Sequence, residues 1–250
     1  MVESTVAMHM GNGIVNSPTC ALFGVIALLA IGFSAVRARA ELTERTAEFD
    51  ERGTSAEKAR RVTPAGLAAL VTAFIFATQM VNFPILPGVS GHLLGGTLAA
   101  ILVGPYTAVL CVSVVLTVQS VLFADGGLTA LGANIVNMAV IGVAAGYGAA
   151  VLLARRFDAG RSVGRLGAVA FVAAAIGTVC ASMGVVIEYA IGGAGDASPA
   201  DLAGYLLGTH LLIGVGEGVI TALTVMTVAR TRPDLIFLTG PAGSRQAVPA

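Results

Sequence analysis

The 250-residue sequence holds three histidines, and the neighbours of each decide what it can do. His9 lies in Met8-His9-Met10, His92 in Ser90-Gly91-His92-Leu93-Leu94-Gly95-Gly96, and His210 in a long apolar run with Glu217 seven residues on. Imidazole is a borderline ligand suited to nickel, cobalt, copper and zinc, and no thiolate or carboxylate cluster adjoins His9 or His92. An X-His dipeptide with a free amine can hold one ion in a plane through the amine, the following amide nitrogen and the imidazole. A second imidazole then completes a square, a geometry that favours nickel(II) or copper(II) over tetrahedral zinc. His9 and His92 are therefore candidate metal ligands.

Glu188, His210 and Glu217 also fall inside apolar sequence, where an ionisable group is costly enough in a bilayer to count as a functional candidate. His210 and Glu217, two helical turns apart, share a face. Their plainest reading is a buried, hydrogen-bonded pair that fixes helix rotation. The rival reading is a midplane relay in a self-sufficient secondary metal transporter. An intramembrane enzyme is disfavoured, because these residues lack the close spacing of an HExxH-like zinc catalyst. Cys20, Cys111 and Cys180 are far apart in apolar stretches and read as packing residues.

The elements that must position these side chains are membrane helices. With 56% hydrophobic and 11% charged residues and a mean hydropathy of +0.88, the chain has too little polar surface to coat a soluble globule. The formal net charge is zero, and no nucleic-acid partner is expected. About 20 apolar residues make a helical span. Six spans are clear, at 19–36, 64–82, 106–123, 131–154, 166–191 and 204–229. A seventh, 89–104, is short and is divided from its successor only if Gly104-Pro105 breaks the helix. The fold class expected is an all-α integral membrane protein with seven transmembrane helices.

Basic residues test that count. They cluster in three regions: Arg37, Arg39, Arg45, Arg52, Lys58, Arg60 and Arg61; Arg155, Arg156, Arg161 and Arg165; and Arg230, Arg232 and Arg245. Seven spans put all three on one side, whereas merging 89–124 into one span separates the first two. The positive-inside rule thus favours an external N-terminus and a cytoplasmic C-terminus. Met1–Thr19 lacks a basic region before its apolar stretch, so the first helix is expected to be retained rather than cleaved. Segment 37–62 reads as a solvated, partly helical cytoplasmic linker, and the tail after Arg230 as loosely ordered. The expected units are 1–63 (external segment, first helix and linker), 64–230 (a six-helix body) and 231–250 (a cytoplasmic tail).

Several longer motifs resemble a known family, the cobalt and nickel substrate-binding subunits of energy-coupling-factor transporters, of CbiM/NikM type. They are MHMGNGIVNSP at Met8–Pro18, FATQMVNFPI at Phe76–Ile85, GVSGHLLGG at Gly88–Gly96, VLFADGGLTALGANIVNMAVIG at Val121–Gly142, IEYAIGG at Ile187–Gly193 and HLLIGVGEGVIT at His210–Thr221. The resemblance implies a six-helix bundle plus an extra N-terminal helix whose external end tucks into the site. It implies metal held by the amino-terminal Met-His unit and the histidine of the SGHLLGG-like motif, here Met8, His9 and His92. It also implies a transmembrane coupling subunit and a pair of cytoplasmic ATPases as partners. The chain has no phosphate-cradling GxxxxGK[ST] loop of its own. No cofactor is expected, the Co²⁺ or Ni²⁺ being cargo.

Ala65, Ala69, Ala73 and Ala77 recur every four residues, a stripe that permits close helix approach in lipid. It can pack within the subunit or, as the resemblance implies, dock on the coupling subunit. The chain departs from the family pattern in two places. Family members usually begin at the Met-His pair, but here MVESTVA precedes it. A translation start at Met8 is expected; clipping of the extension or a different ligand set are the alternatives. MHMGNG also stands where MHIPDG or MHIMEG is typical, which alters only the following turn. The SGHLLGG wording leans toward nickel-type members, although both metals suit the same ligands.

Cysteine-accessibility labelling should find positions 45–60 and 156–164 cytoplasmic and 196–201 external. Labelling of the first two regions from opposite faces would exclude seven spans.

Overall fold

The computed structural model describes residues 9–51, 62–81, 83–86 and 89–240. Met8, the extension before it, Arg52, Lys58, Arg60, Arg61 and Arg245 lie outside the described residues.

Among the described residues there are seven α-helices: α1 (Ser17–Glu51), α2 (Pro64–Gln79), α3 (Gly96–Val103), α4 (Pro105–Leu122), α5 (Leu131–Arg156, π-helical in its middle), α6 (Val163–Gly192) and α7 (Pro199–Thr231). Five of them, α1 and α4 to α7, are long and apolar enough to cross a membrane. Proline opens α2, α4 and α7, where its missing N–H is no loss and its fixed φ suits the first turn. Thr63 and Ser198 cap α2 and α7 through their side-chain oxygens. Isoleucine, leucine, valine and phenylalanine exposed along α1, α6 and α7 make the outer, lipid-suited surface.

The third span differs from its expected extent. Only 96–103 is helical, and all eight residues are buried among the other helices. Ahead of it, a short antiparallel hairpin of β1 (Phe83–Leu86) and β2 (Val89–Gly91) leads into an irregular stretch from His92 to Gly95. Backbone without its own helical hydrogen bonds is tolerated at such depth only inside protein.

The expected Gly104-Pro105 break is present: α3 ends at Val103 and α4 begins at Pro105. Gly104 has φ +99°, and a Cβ there would come within 2.8 Å of the Glu41 carboxyl group. Only glycine meets both demands.

That contact corrects the reading of 37–62 as a solvated, partly helical linker at one point within its described part, the helix face around Glu41. Helix α1 continues to Glu51, and Glu41 is 1% exposed. Its carboxylate accepts from the Tyr106 N–H (3.2 Å), the Thr107 N–H (2.8 Å) and the Thr107 hydroxyl (2.7 Å). These amides have no partner within their own helix, so Glu41 caps α4 from another element. One turn on, Arg45 donates to the carbonyls of Leu102 (2.7 Å) and Leu235 (3.2 Å). The reading of a loose tail is corrected over its described part, to Gly240: Ile236, Phe237 and Leu238 are buried, and the Leu238 N–H donates to the Ile101 carbonyl.

Replacing Glu41 by alanine leaves two buried amides without an acceptor and should cost about 2 kcal/mol, seen as a lower unfolding midpoint in detergent. The exposed Glu44, changed to alanine, should leave that midpoint in place. Equal effects of the two changes would disprove the capping role.

Candidate metal site

The segment ahead of α1 is strapped down by asparagines. Asn134, in α5, accepts from the Met10 N–H (2.8 Å) and donates to the Met10 carbonyl (3.1 Å). Asn12 accepts from the Thr129 N–H and hydroxyl in the α4–α5 loop. Asn16 accepts from the Thr19 N–H at the start of α1, and its own N–H donates to the Gly192 carbonyl at the end of α6. Val15 and Gly193 form an isolated antiparallel bridge. A segment with no helix of its own is thereby held against α5 and α6, and it carries His9 inward until the residue is 3% exposed.

His9 meets His92 there. The ring centroids are 4.5 Å apart with the planes tilted at 41°, and His92 is 2% exposed. Each imidazole has Nδ1 engaged: His9 to Asp125 Oδ1 at 3.0 Å, His92 to the Leu93 carbonyl at 2.9 Å. A carboxylate and a carbonyl can only accept, so Nδ1 is the protonated nitrogen of each ring and Nε2 of the neutral form bears the lone pair. Both Nε2 atoms are buried without a partner. Two open imidazole lone pairs in one small, dry region can coordinate a metal ion. The hydrogen bond from His9 holds the Asp125 carboxyl below the ordinary carboxylate range, so Asp125 is ionised at neutral pH and keeps the His9 ring in that tautomer.

Asp125 escaped the sequence reading because it is 116 residues from His9 and sits in a loop. Its signal was the motif Val121–Gly142, in which the later polar residues Thr129, Asn134 and Asn137 also have long-range partners. The middle of α5, Ile135–Ile141, is π-helical, a form frequent at functional sites. Among the described residues, no three His, Cys, Asp or Glu side chains converge in a set that could hold a metal.

The other intramembrane residues are hydrogen-bonded to partners of their own. Glu188 accepts from the Asn137 side-chain amide at 2.8 Å. His210 and Glu217 are both buried, but they are partnered with different groups. His210 Nδ1 lies 2.9 Å from the Leu206 carbonyl and 3.2 Å from the Thr209 hydroxyl. Glu217 accepts from the backbone N–H groups of Leu94 (2.8 Å) and Gly95 (2.7 Å). Their common face points inward as expected, yet Glu217 serves the segment that carries His92.

A buried histidine pair at one end of an apolar helix bundle marks a membrane protein whose side chains suit a transition metal. Residues 9–235 match the family described as the cobalt uptake substrate-specific transmembrane region. The chain is 38% identical to a putative fused nickel transport protein of Archaeoglobus fulgidus, over 92% of this chain and 68% of that one. It is 35% identical to a putative metal transport protein of Haloquadratum walsbyi, over 92% and 94% of the two chains. It is 30% identical to a cobalt transport protein of Sorangium cellulosum, again over 92% and 94%. A crystal structure of a truncated transition metal transporter superposes with a TM-score of 0.65 at 25% identity, covering 89% of this chain and 99% of that one. The chain belongs to the cobalt uptake transmembrane family: it is a multi-pass membrane component of cobalt or nickel uptake, and not an enzyme.

Proposed function

We propose that this chain is the substrate-capture subunit of an energy-coupling-factor transporter, taking Ni²⁺ or Co²⁺ from outside the cell through Met8, His9 and His92. The observation that carries the reading is the buried pair of imidazoles 4.5 Å apart, each with Nε2 unpartnered. Each Nε2 lone pair is free of a protein partner and open to an ion. With a free amine at Met8, a chelate through the His9 amide nitrogen recruits Nδ1 instead, the ring nitrogen nearer the backbone. The ring then turns and exchanges Asp125 for the metal. His92 supplies Nε2 in both arrangements.

Orientation and partners follow from the same reading. The N-terminus is external and the C-terminus cytoplasmic, in keeping with the basic residues at the ends of α1, α5 and α7. A transmembrane coupling subunit and two ATPases supply the energy. Ala65, Ala69, Ala73 and Ala77 are all exposed on α2, while Leu67, Val71, Ile75 and Gln79 face the bundle. Small residues turned outward from a membrane helix favour contact with another helix, which supports docking on the coupling subunit over packing within this one.

A chain beginning at Met8 should bind Ni²⁺ tightly in calorimetry and give a diamagnetic, square-planar spectrum. The chain beginning at Met1 should bind more weakly, since its Met8 nitrogen is an amide that must lose a proton to coordinate. His92→Ala should weaken both. Equal affinity of the two chains together with an unaffected His92→Ala would place the metal elsewhere.

Leucine at Ala69 and Ala73 should reduce co-purification with the coupling subunit several-fold and leave metal binding by the isolated chain intact. Parallel loss of both would mean that the stripe packs internally.

A further inference from the structure

His92 is carried by a stretch of chain, His92–Gly95, that lies outside any helix, and other elements hold its amides. Glu217 of α7, 2% exposed, spends both carboxylate oxygens on it, accepting from the Leu94 and Gly95 N–H groups at 2.8 and 2.7 Å. Gln79 of α2, fully buried, donates its side-chain N–H to the Leu94 carbonyl at 2.7 Å. Gly95 has φ +74°, and a Cβ there would come within 2.8 Å of Ile75 on α2. The stretch is thus pinned between α2 and α7, with Leu94 held on both its amide and its carbonyl. His92 lies two residues upstream, and its ring is tied through Nδ1 to the Leu93 carbonyl. The backbone that sets the direction of His92 Nε2 is the backbone that Glu217 holds.

We infer that Glu217 is the positioning residue of the metal site: by anchoring the Leu94 and Gly95 amides it aims His92 Nε2 at the ion, with Gln79 as the opposing tether. This rests on the reading of His92 as a metal ligand. Glu217 does not touch the ion. Its effect on binding passes through His92, and that distinguishes it from a residue that merely joins α7 to α3.

The test is a double-mutant cycle on the full chain in detergent, with Ni²⁺ titrated by calorimetry into the wild type, Glu217→Gln, His92→Ala and the double variant. Glutamine keeps the shape but turns an N–H₂ toward a backbone N–H that needs an acceptor. Loss of such outer support typically weakens metal binding about 10- to 100-fold. Glu217→Gln should show a loss in that range, with its nickel absorption band displaced toward that of His92→Ala. The double variant should bind no more weakly than His92→Ala alone. Wild-type affinity in Glu217→Gln beside a weakened His92→Ala would overturn the inference and leave the ligand reading standing. A loss from Glu217→Gln repeated in full in the His92→Ala background would also overturn it, marking a general structural effect. Wild-type affinity in His92→Ala would overturn the ligand reading and the inference with it. Should Glu217→Gln not fold, Gln79→Met, which frees the Leu94 carbonyl on the other side, carries the same cycle with the same outcomes.

Discussion

A histidine that is to meet an ion inside an apolar bundle has to sit on backbone that can bend toward it, and bent backbone has polar groups no helix satisfies. Unpaired amides and carbonyls are expensive away from water. Here the stretch from His92 to Gly95 meets that demand with an acid and an amide from two flanking helices, Glu217 and Gln79. The need for those partners explains why a carboxylate is buried in α7 at all. It also explains why α3 is short: the residues that would have lengthened it are used to present His92.

The opposing half of the site is built by the same logic from the other end of the chain. The segment around His9 is irregular as well, and its polar groups are taken up by Asn134 and by the α4–α5 and α6–α7 connections. Asp125 completes the arrangement by fixing one nitrogen of His9 and leaving the other open. Asn137 and Glu188, one turn further along α5 and α6, pair with each other. The polar residues at this end of the bundle therefore fall into hydrogen-bonded sets, of which the Asn137–Glu188 pair keeps one oxygen of each residue unpartnered.

Much of this was legible in the sequence, and the parts that were not have a common cause. Span count, the break at Gly104-Pro105 and the pairing of His9 with His92 followed from hydropathy, proline chemistry and the positions of basic residues, which are properties of local sequence. The partners of Glu217, Asp125 and Glu41 were not legible, because each bonds to backbone or side chain at least 65 residues away. Composition misled outright at Glu41 and Arg45. A charge run in a hydrophilic stretch reads as solvated surface, yet these two residues lie one turn apart on a helix face that turns into the protein. The tail was misread for a similar reason: Ile236, Phe237 and Leu238 are too few to announce a buried element, and only the neighbouring α3 gives them somewhere to pack.

Helix α3 ties these observations together. At its N-terminal end the positive pole of the peptide dipoles meets the carboxylate of Glu217. At its C-terminal end the carbonyl of Leu102 meets the guanidinium of Arg45. Just beyond, the N-terminal pole of α4 meets Glu41. Each charge has the sign that the nearby dipole favours, and each comes from a long helix, α7 or α1, rather than from α3 or α4. An eight-residue helix is too short to hold itself in place, so its position is set by α7 at the end that bears His92 and by α1 at the opposite end. Helix α1 also begins just after the segment bearing His9, so one helix is joined by the chain to His9 and by Arg45 to the far end of α3.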